Sequence, residues 1–190
     1  TERDVYAAID VANAEFELGS VGAGTGMKTF GFAGGVGSAS RLVKIDDIEQ
    51  TLGALVLSNF GQQSELRFCG RRMIGTNESV EQPDKGSIIV VLATDAAVDS
   101  RQLKRIAKRA SAALGRTGSY LGHGSGDIAV AFSTAKADSQ RLEEPMLDRL
   151  FLAAVEATEE AIYRAMWHGE SRSGYDGNQL PTFRKFLEEG

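Results

Sequence analysis

The sequence predicts a mixed helix and sheet fold, of the α/β or α+β class, from three observations. The run Ser87-Ile-Ile-Val-Val-Leu-Ala-Thr94 has the length and near-continuous apolarity of a buried strand. Residues 99–114 and 146–167 carry apolar side chains at the spacing of amphipathic helices. Along the chain the segments run helix, glycine loops, strands, helix, strand, helix, an interleaving that layers helices on sheet.

Taken in order, Thr1-Glu2-Arg3-Asp4 reads as a helix start, with a threonine cap, an acid three positions on, and Val5, Ala8, Ile9 and Ala12 at helical spacing. The chain thus opens inside an element, which leads us to expect sequence upstream of it. Residues 19–37 hold eight of the 22 glycines. Such a stretch supplies close backbone approach, either to a substrate or between packed sheets. Residues 45–51 could form a short helix, Leu52 to Phe60 a buried strand, and Glu65 to Phe68 a second short one. Residues 76–86 are polar and contain a proline, so a surface loop is expected there. In the helix over 99–114, Leu103, Ile106, Ala107, Ala110 and Leu114 face inward. Residues 128–134 read as another buried strand, and Met146 to Trp167 as a long helix with Leu150, Phe151, Ala154, Val155, Thr158 and Ile162 inside. A last helical turn is expected at Thr182 to Leu187.

The 190 residues suffice for a single domain with a sizeable core. A net charge of −5 provides no basic field of the strength that nucleic acid requires. The one positive stripe, Arg101, Lys104, Arg105, Lys108 and Arg109, reads as a solvated helix face. No apolar run approaches the roughly 18 residues of a membrane span, and residues 1–20 lack the zones of a signal peptide. The single cysteine, Cys69, excludes an intrachain disulfide and a Cys-rich zinc site. It points to the cytosol, the periplasm staying open because the natural N-terminus is not visible. The alternation Leu66-Arg67-Phe68-Cys69 predicts a buried thiol.

Several familiar site motifs fail. Gly22-Ala-Gly24-Thr-Gly26 lacks the last glycine of a dinucleotide fingerprint, since Met27 stands there, and no Gly-Lys-Ser/Thr follows as in a phosphate loop. Ser125 in Gly122-His-Gly-Ser-Gly-Asp127 is flanked at two positions by His123 and Asp127, where a nucleophile elbow needs glycines. His123 and His168 are the only histidines, and capping or packing is the expected use of both; His168, at a helix end, suits the dipole as a cation. Two histidines without an HExxH pattern leave no basis for a catalytic metal, and no cofactor is expected.

A hydrolase would then need a base other than histidine. A free α-amine, with a pKa of roughly 7.7–8, can accept a proton near neutral pH. It lies beside a serine hydroxyl only when that serine begins a chain. The flexible loop that runs into Gly86-Ser87, followed at once by a rigid strand, suits self-cleavage between these two residues. Glycine permits a strained backbone there. On pattern alone, a plain loop-to-strand junction explains the same residues.

Six segments resolve the choice. Gly22-Ala-Gly-Thr-Gly-Met27, Phe32-Ala-Gly-Gly-Val-Gly-Ser-Ala-Ser-Arg41, Val56-Leu-Ser-Asn-Phe-Gly61, Gly86-Ser-Ile-Ile-Val-Val-Leu-Ala-Thr-Asp95, Arg116-Thr-Gly-Ser119 and Gly122-His-Gly-Ser-Gly-Asp127 resemble the P1-type peptidases. This is the group of L-aminopeptidase/D-amidase-esterases and β-peptidyl aminopeptidases, peptidase family S58. The resemblance implies a four-layer αββα sandwich similar to N-terminal-nucleophile hydrolases. It implies cleavage at Gly86–Ser87 into residues 1–86 and 87–190, which stay together and assemble into homo-oligomers. Ser87 would be the nucleophile, Asn59 the oxyanion donor, Ser125 and Asp127 the second serine and its acid, and Gly124 and Gly126 substrate-binding positions. Substrates would be short peptides, amides or esters. Family members also carry an upstream segment with a tyrosine that helps the oxyanion, and the context of Tyr6 does not match it. Three other readings stand beside this one: an acyltransferase like the ornithine acetyltransferases, which favour threonine as nucleophile, a β-peptide-specific aminopeptidase, and an inert binding scaffold.

Overall fold

The computed structural model describes residues 1–73, 85–136, 138–174 and 177–189. Among the described residues five α-helices form: α1 (Glu2–Asp10), α2 (Ser100–Ala107), α3 (Ala110–Thr117), α4 (Leu147–Trp167) and α5 (Phe183–Glu189). The strands are β1 (Lys28–Thr29), β2 (Phe32–Ala33), β3 (Gly35–Ile45), β4 (Ile48–Asn59), β5 (Arg67–Phe68), β6 (Arg71–Arg72), β7 (Ser87–Thr94) and β8 (Ile128–Ser133). The main sheet has the order β3-β4-β7-β8, antiparallel except for the parallel pair β7 and β8. A parallel neighbour requires a crossover, and α2 with α3 supplies it.

Period-two alternation divides the sheet into two unlike faces. Ala54 and Val56 of β4 and Ile88, Val90 and Leu92 of β7 are buried. They share one core with Leu150, Ala154, Ala161 and Ile162 of α4. On the opposite face Leu55, Ile89, Ile128, Val130 and Phe132 are 40–53% exposed. Mixed α/β layering therefore forms as predicted. Of the four layers the resemblance implies, the described residues build one four-stranded sheet with α2, α3 and α4 on one side of it, besides the short ladders β1–β2 and β5–β6. For the same reason the strand expected to be buried at 128–134 is a sheet edge with its apolar side bare, and Leu52–Phe60 and Ser87–Thr94 are covered on one side only.

The helix expected at 45–51 is absent. Ile45 pairs with Ile48, and Asp46 takes φ 53° in a two-residue hairpin turn between β3 and β4. Aspartates cap helices and also make turns, and the eleven-pair register with β3 selects the turn. β3 itself begins in residues 35–37, the end of the expected glycine loop. Those glycines serve packing: a Cβ on Gly37 would overlap the Ala161 carbonyl of α4, and one on Gly35 the Gly19 carbonyl.

The helix expected over 99–114 is two. Asp99 and Gln102 form a reciprocal capping box at its start (2.8 and 3.0 Å), and buried Gln102 also donates to the Leu142 carbonyl (2.9 Å). The ladder tightens where Arg109 N–H bonds the Ile106 carbonyl, and the Arg109 guanidinium lies 3.9 Å from the Phe151 ring centroid. Arg101 and Arg105 of the basic stripe share one carboxylate, Glu144. The short strand expected at 65–68 shrinks to β5. Cys69, expected buried, is exposed: it sits with Gly70 in the β5–β6 turn, both at positive φ, while Phe68 turns in against Tyr163 and Phe183. α1 forms with its capping contact, Thr1 to Asp4 at 2.6 Å, yet none of its side chains is buried. Among the described residues no helix is long and apolar enough to cross a membrane.

Candidate active site

Ser87 is the first residue of β7, and its register partner on β4 is Asn59, the last residue of that strand. The pairing follows from alternation. Ile88 and Ser58 point into the core, so Ser87 and Asn59 project from the bare face at one end of the sheet. β8 begins beside them, with Ile128 opposite Ile89, which brings the loop before it to Ser87.

Two contacts fix that loop. The N–H of Gly126 donates to Ser87 Oγ at 2.9 Å. Asp127 Oδ1 accepts from the N–H of Ile88 at 3.2 Å and from Ser125 Oγ at 2.6 Å. The second is a short, charge-assisted bond between a hydroxyl and a carboxylate. Four of the residues singled out in the sequence, Ser87, Asn59, Ser125 and Asp127, thus converge although they come from three segments. Gly126 joins them through its N–H to Ser87 Oγ. Gly124 lies exposed in the turn over 122–125.

Gly86 precedes Ser87 in a tight place. A Cβ there would run into the Asn59 carbonyl and sit 2.8 Å from the Phe60 Cα. Its φ is outside the left-handed region. Glycine is therefore required by close approach, not by the strained geometry expected from the sequence. The surface loop expected over 76–86 falls outside the described residues apart from Lys85 and Gly86.

Asn59 Oδ1 accepts from the N–H of Lys28 at 2.9 Å. A backbone N–H can only donate, so the atom facing it is the carboxamide oxygen, and among the described residues Nδ2 donates to none. Sequence reasoning missed Lys28, because a main-chain contact across 31 positions leaves no side-chain signature. A readable sign did exist in Ser58, a polar residue on the core face of an apolar strand.

Among the described residues no hydrogen bond links His123 or His168 to Ser87, Ser125 or Asp127. His168 ends α4, and burial, then Arg164 and Arg184, hold its pKa below the usual value, which disfavours the cation expected at that helix end. Tyr163 is pushed up by burial and by Glu159, to which it is hydrogen bonded at 3.1 Å.

Known proteins share this architecture. A β-peptidyl aminopeptidase of Sphingosinicella microcystinivorans is 42% identical over 204 residues, covering 93% of this chain and 51% of that protein. The PH0078 protein of Pyrococcus horikoshii superposes with a TM-score of 0.88 at 42% identity, covering 99% of this chain and 55% of its own. The L-aminopeptidase D-Ala-esterase/amidase of Ochrobactrum anthropi, described as a prototype for the serine aminopeptidases and a new variant among the Ntn hydrolase fold, gives a TM-score of 0.83 at 38% identity over 100% of this chain and 57% of that one. The chain spans about half the length of the curated relatives it matches. The pattern of peptidase family S58 matches residues 1–180, and the chain belongs to that family.

Proposed function

We propose that this chain carries the reaction centre of a self-processing serine aminopeptidase or amidase, with Ser87 as nucleophile. One observation carries the reading. Ser87 Oγ, held by the Gly126 N–H, stands at the end of a sheet beside Asn59, whose carboxamide is turned to donate.

Processing begins when Ser87 Oγ attacks the Gly86 carbonyl carbon. The C–N bond to Ser87 breaks, its nitrogen takes the proton from Oγ, and an ester replaces the amide. Water hydrolyses that ester, leaving a Gly86 carboxylate and a Ser87 with free hydroxyl and α-amine. In turnover the amine accepts the Oγ proton as Oγ attacks the substrate carbonyl. Asn59 Nδ2 donates to the oxyanion, and the leaving amine or alcohol departs with the proton. A water, deprotonated by the same amine, then releases the acyl group as an amino acid. Asp127 ties the Ser125 loop to the nucleophile strand, and its Oδ2, which accepts no hydrogen bond from the described residues, suits a substrate ammonium. In this reading the bare face of the sheet is closed by a second sheet, and two-chain units assemble as a homo-oligomer in the cytosol. Substrates are short peptides, amides or esters. β-Aminoacyl substrates are the second reading, favoured by the β-peptidyl aminopeptidases among the relatives.

The test offers the full-length protein L-, D- and β-aminoacyl amides together with a serine-directed sulfonyl fluoride. At least one amide should be hydrolysed, and the reagent should silence that activity while labelling Ser87. Labelling elsewhere with activity intact would contradict the assignment. On the best substrate, kcat should climb with pH through about 7–8, because the protonated α-amine cannot take the Oγ proton. A profile flat from pH 6 to 9 would rule out an amine base.

A further inference from the structure

Three successive residues of one segment grip three successive residues of another beside the nucleophile. Lys28 N–H bonds Asn59 Oδ1 at 2.9 Å, and Phe30 N–H bonds the Phe60 carbonyl at 2.8 Å. Between them Thr29 Oγ1 lies within hydrogen-bond distance of both the Ser58 carbonyl (2.9 Å) and the Ser58 hydroxyl (2.8 Å). Thr29 and Ser58 are both fully buried, whereas the Lys28–Asn59 contact is exposed. Gly34 leaves the space for this, since a Cβ there would overlap Thr29 Oγ1.

The consequence concerns the orientation of an amide. An exposed asparagine side chain can flip its oxygen and nitrogen at little cost, and only one orientation presents a donor to the site. Lys28 N–H selects that orientation, but an exposed bond on a two-residue strand holds poorly alone. Dry hydroxyls fix position far better, because neither can exchange its partner for water.

We propose that the buried Thr29–Ser58 pair is a positioning device for catalysis: it clamps β1 to the end of β4 so that Lys28 N–H keeps the Asn59 carboxamide turned to donate. Thr29 and Ser58 touch no reacting atom and act through Asn59. The inference rests on the oxyanion role of Asn59 in the reading above.

The experiment measures kcat and KM per mole of processed enzyme for Thr29→Val, Ser58→Ala and Thr29→Ser, each alone and in an Asn59→Ala background. Thr29→Val should lower kcat about tenfold with KM unchanged, the scale of one buried hydrogen bond acting at the transition state. Ser58→Ala, which keeps the carbonyl acceptor, should show a smaller loss of the same kind, and Thr29→Ser should restore kcat to within about twofold. In the Asn59→Ala background Thr29→Val should have no further effect on kcat, since the group it positions is gone. Losses that simply multiply in the double variant would mean general structural damage and overturn the proposal. So would a Thr29→Val enzyme with unchanged kcat. If Thr29→Val fails to fold, Ser58→Ala decides by the same cycle. Should Asn59→Ala alone leave kcat intact, the oxyanion reading falls first; should it cripple kcat while the Thr29 and Ser58 variants do not, only this inference falls.

Discussion

Ser87→Ala should leave the Gly86–Ser87 bond uncut and lower kcat by about a millionfold, the loss that removing its nucleophile causes in a serine hydrolase. One oxygen serves both reactions, so processing and turnover vanish together. The fold should survive. Ser87 is half-buried, and among the described residues its hydroxyl accepts one hydrogen bond, from the exposed Gly126 N–H, which water can satisfy instead. Melting temperature should therefore change little, which separates lost chemistry from lost structure. Ser87→Cys, which keeps a nucleophilic atom, should still be cut, though more slowly. Denaturing electrophoresis and pre-steady-state kinetics check all three statements. A Ser87→Ala protein that processes and turns over normally would remove the nucleophile from the account.

The second large effect falls on Asn59. Asn59→Ala should reduce kcat by about 10²–10³ with KM close to that of the parent, as expected for a donor that engages only the developing oxyanion. Asn59→Asp is the sharper variant. Its carboxylate can still accept from Lys28 N–H, so the local fold is kept, yet it offers no donor and sets negative charge against the oxyanion. It should be worse than alanine. An aspartate variant better than the alanine one would mean that Asn59 acts through packing and not through its amide. Steady-state kinetics on processed material decides it.

Much of this site is legible in the amino-acid sequence, and the reasons differ by residue. Ser87 stands out because composition changes abruptly there, from polar loop to an apolar run that could only be a strand. Ser125 and Asp127 belong to the glycine turn before β8, a local pattern that survives folding. What stays hidden depends on contacts distant in sequence. The first half of β3, Gly35 to Ser40, has small, glycine-rich residues of weak strand propensity, and it is a strand because β4 pairs with it along its length while α4 presses on the Gly37 side. The helix signal at 45–51 loses to that same pairing. The Lys28–Asn59 bond leaves no mark in composition or period. The single-sided burial of β7 and β8 is equally invisible, since a strand covered on both faces and one with a bare apolar face share the same sequence. At Gly86 the sequence suggests backbone freedom, whereas the structure shows close approach: the Asn59 carbonyl and the Phe60 Cα leave no room for a side chain.

The account turns on whether position 87 is a chain end. Intact-mass spectrometry of the purified full-length protein under denaturing conditions, followed by sequencing of each N-terminus, measures this directly. Two polypeptides are predicted, one ending at Gly86 and the other starting at Ser87 with an unblocked amine. One continuous polypeptide that hydrolyses aminoacyl amides at full rate would contradict it.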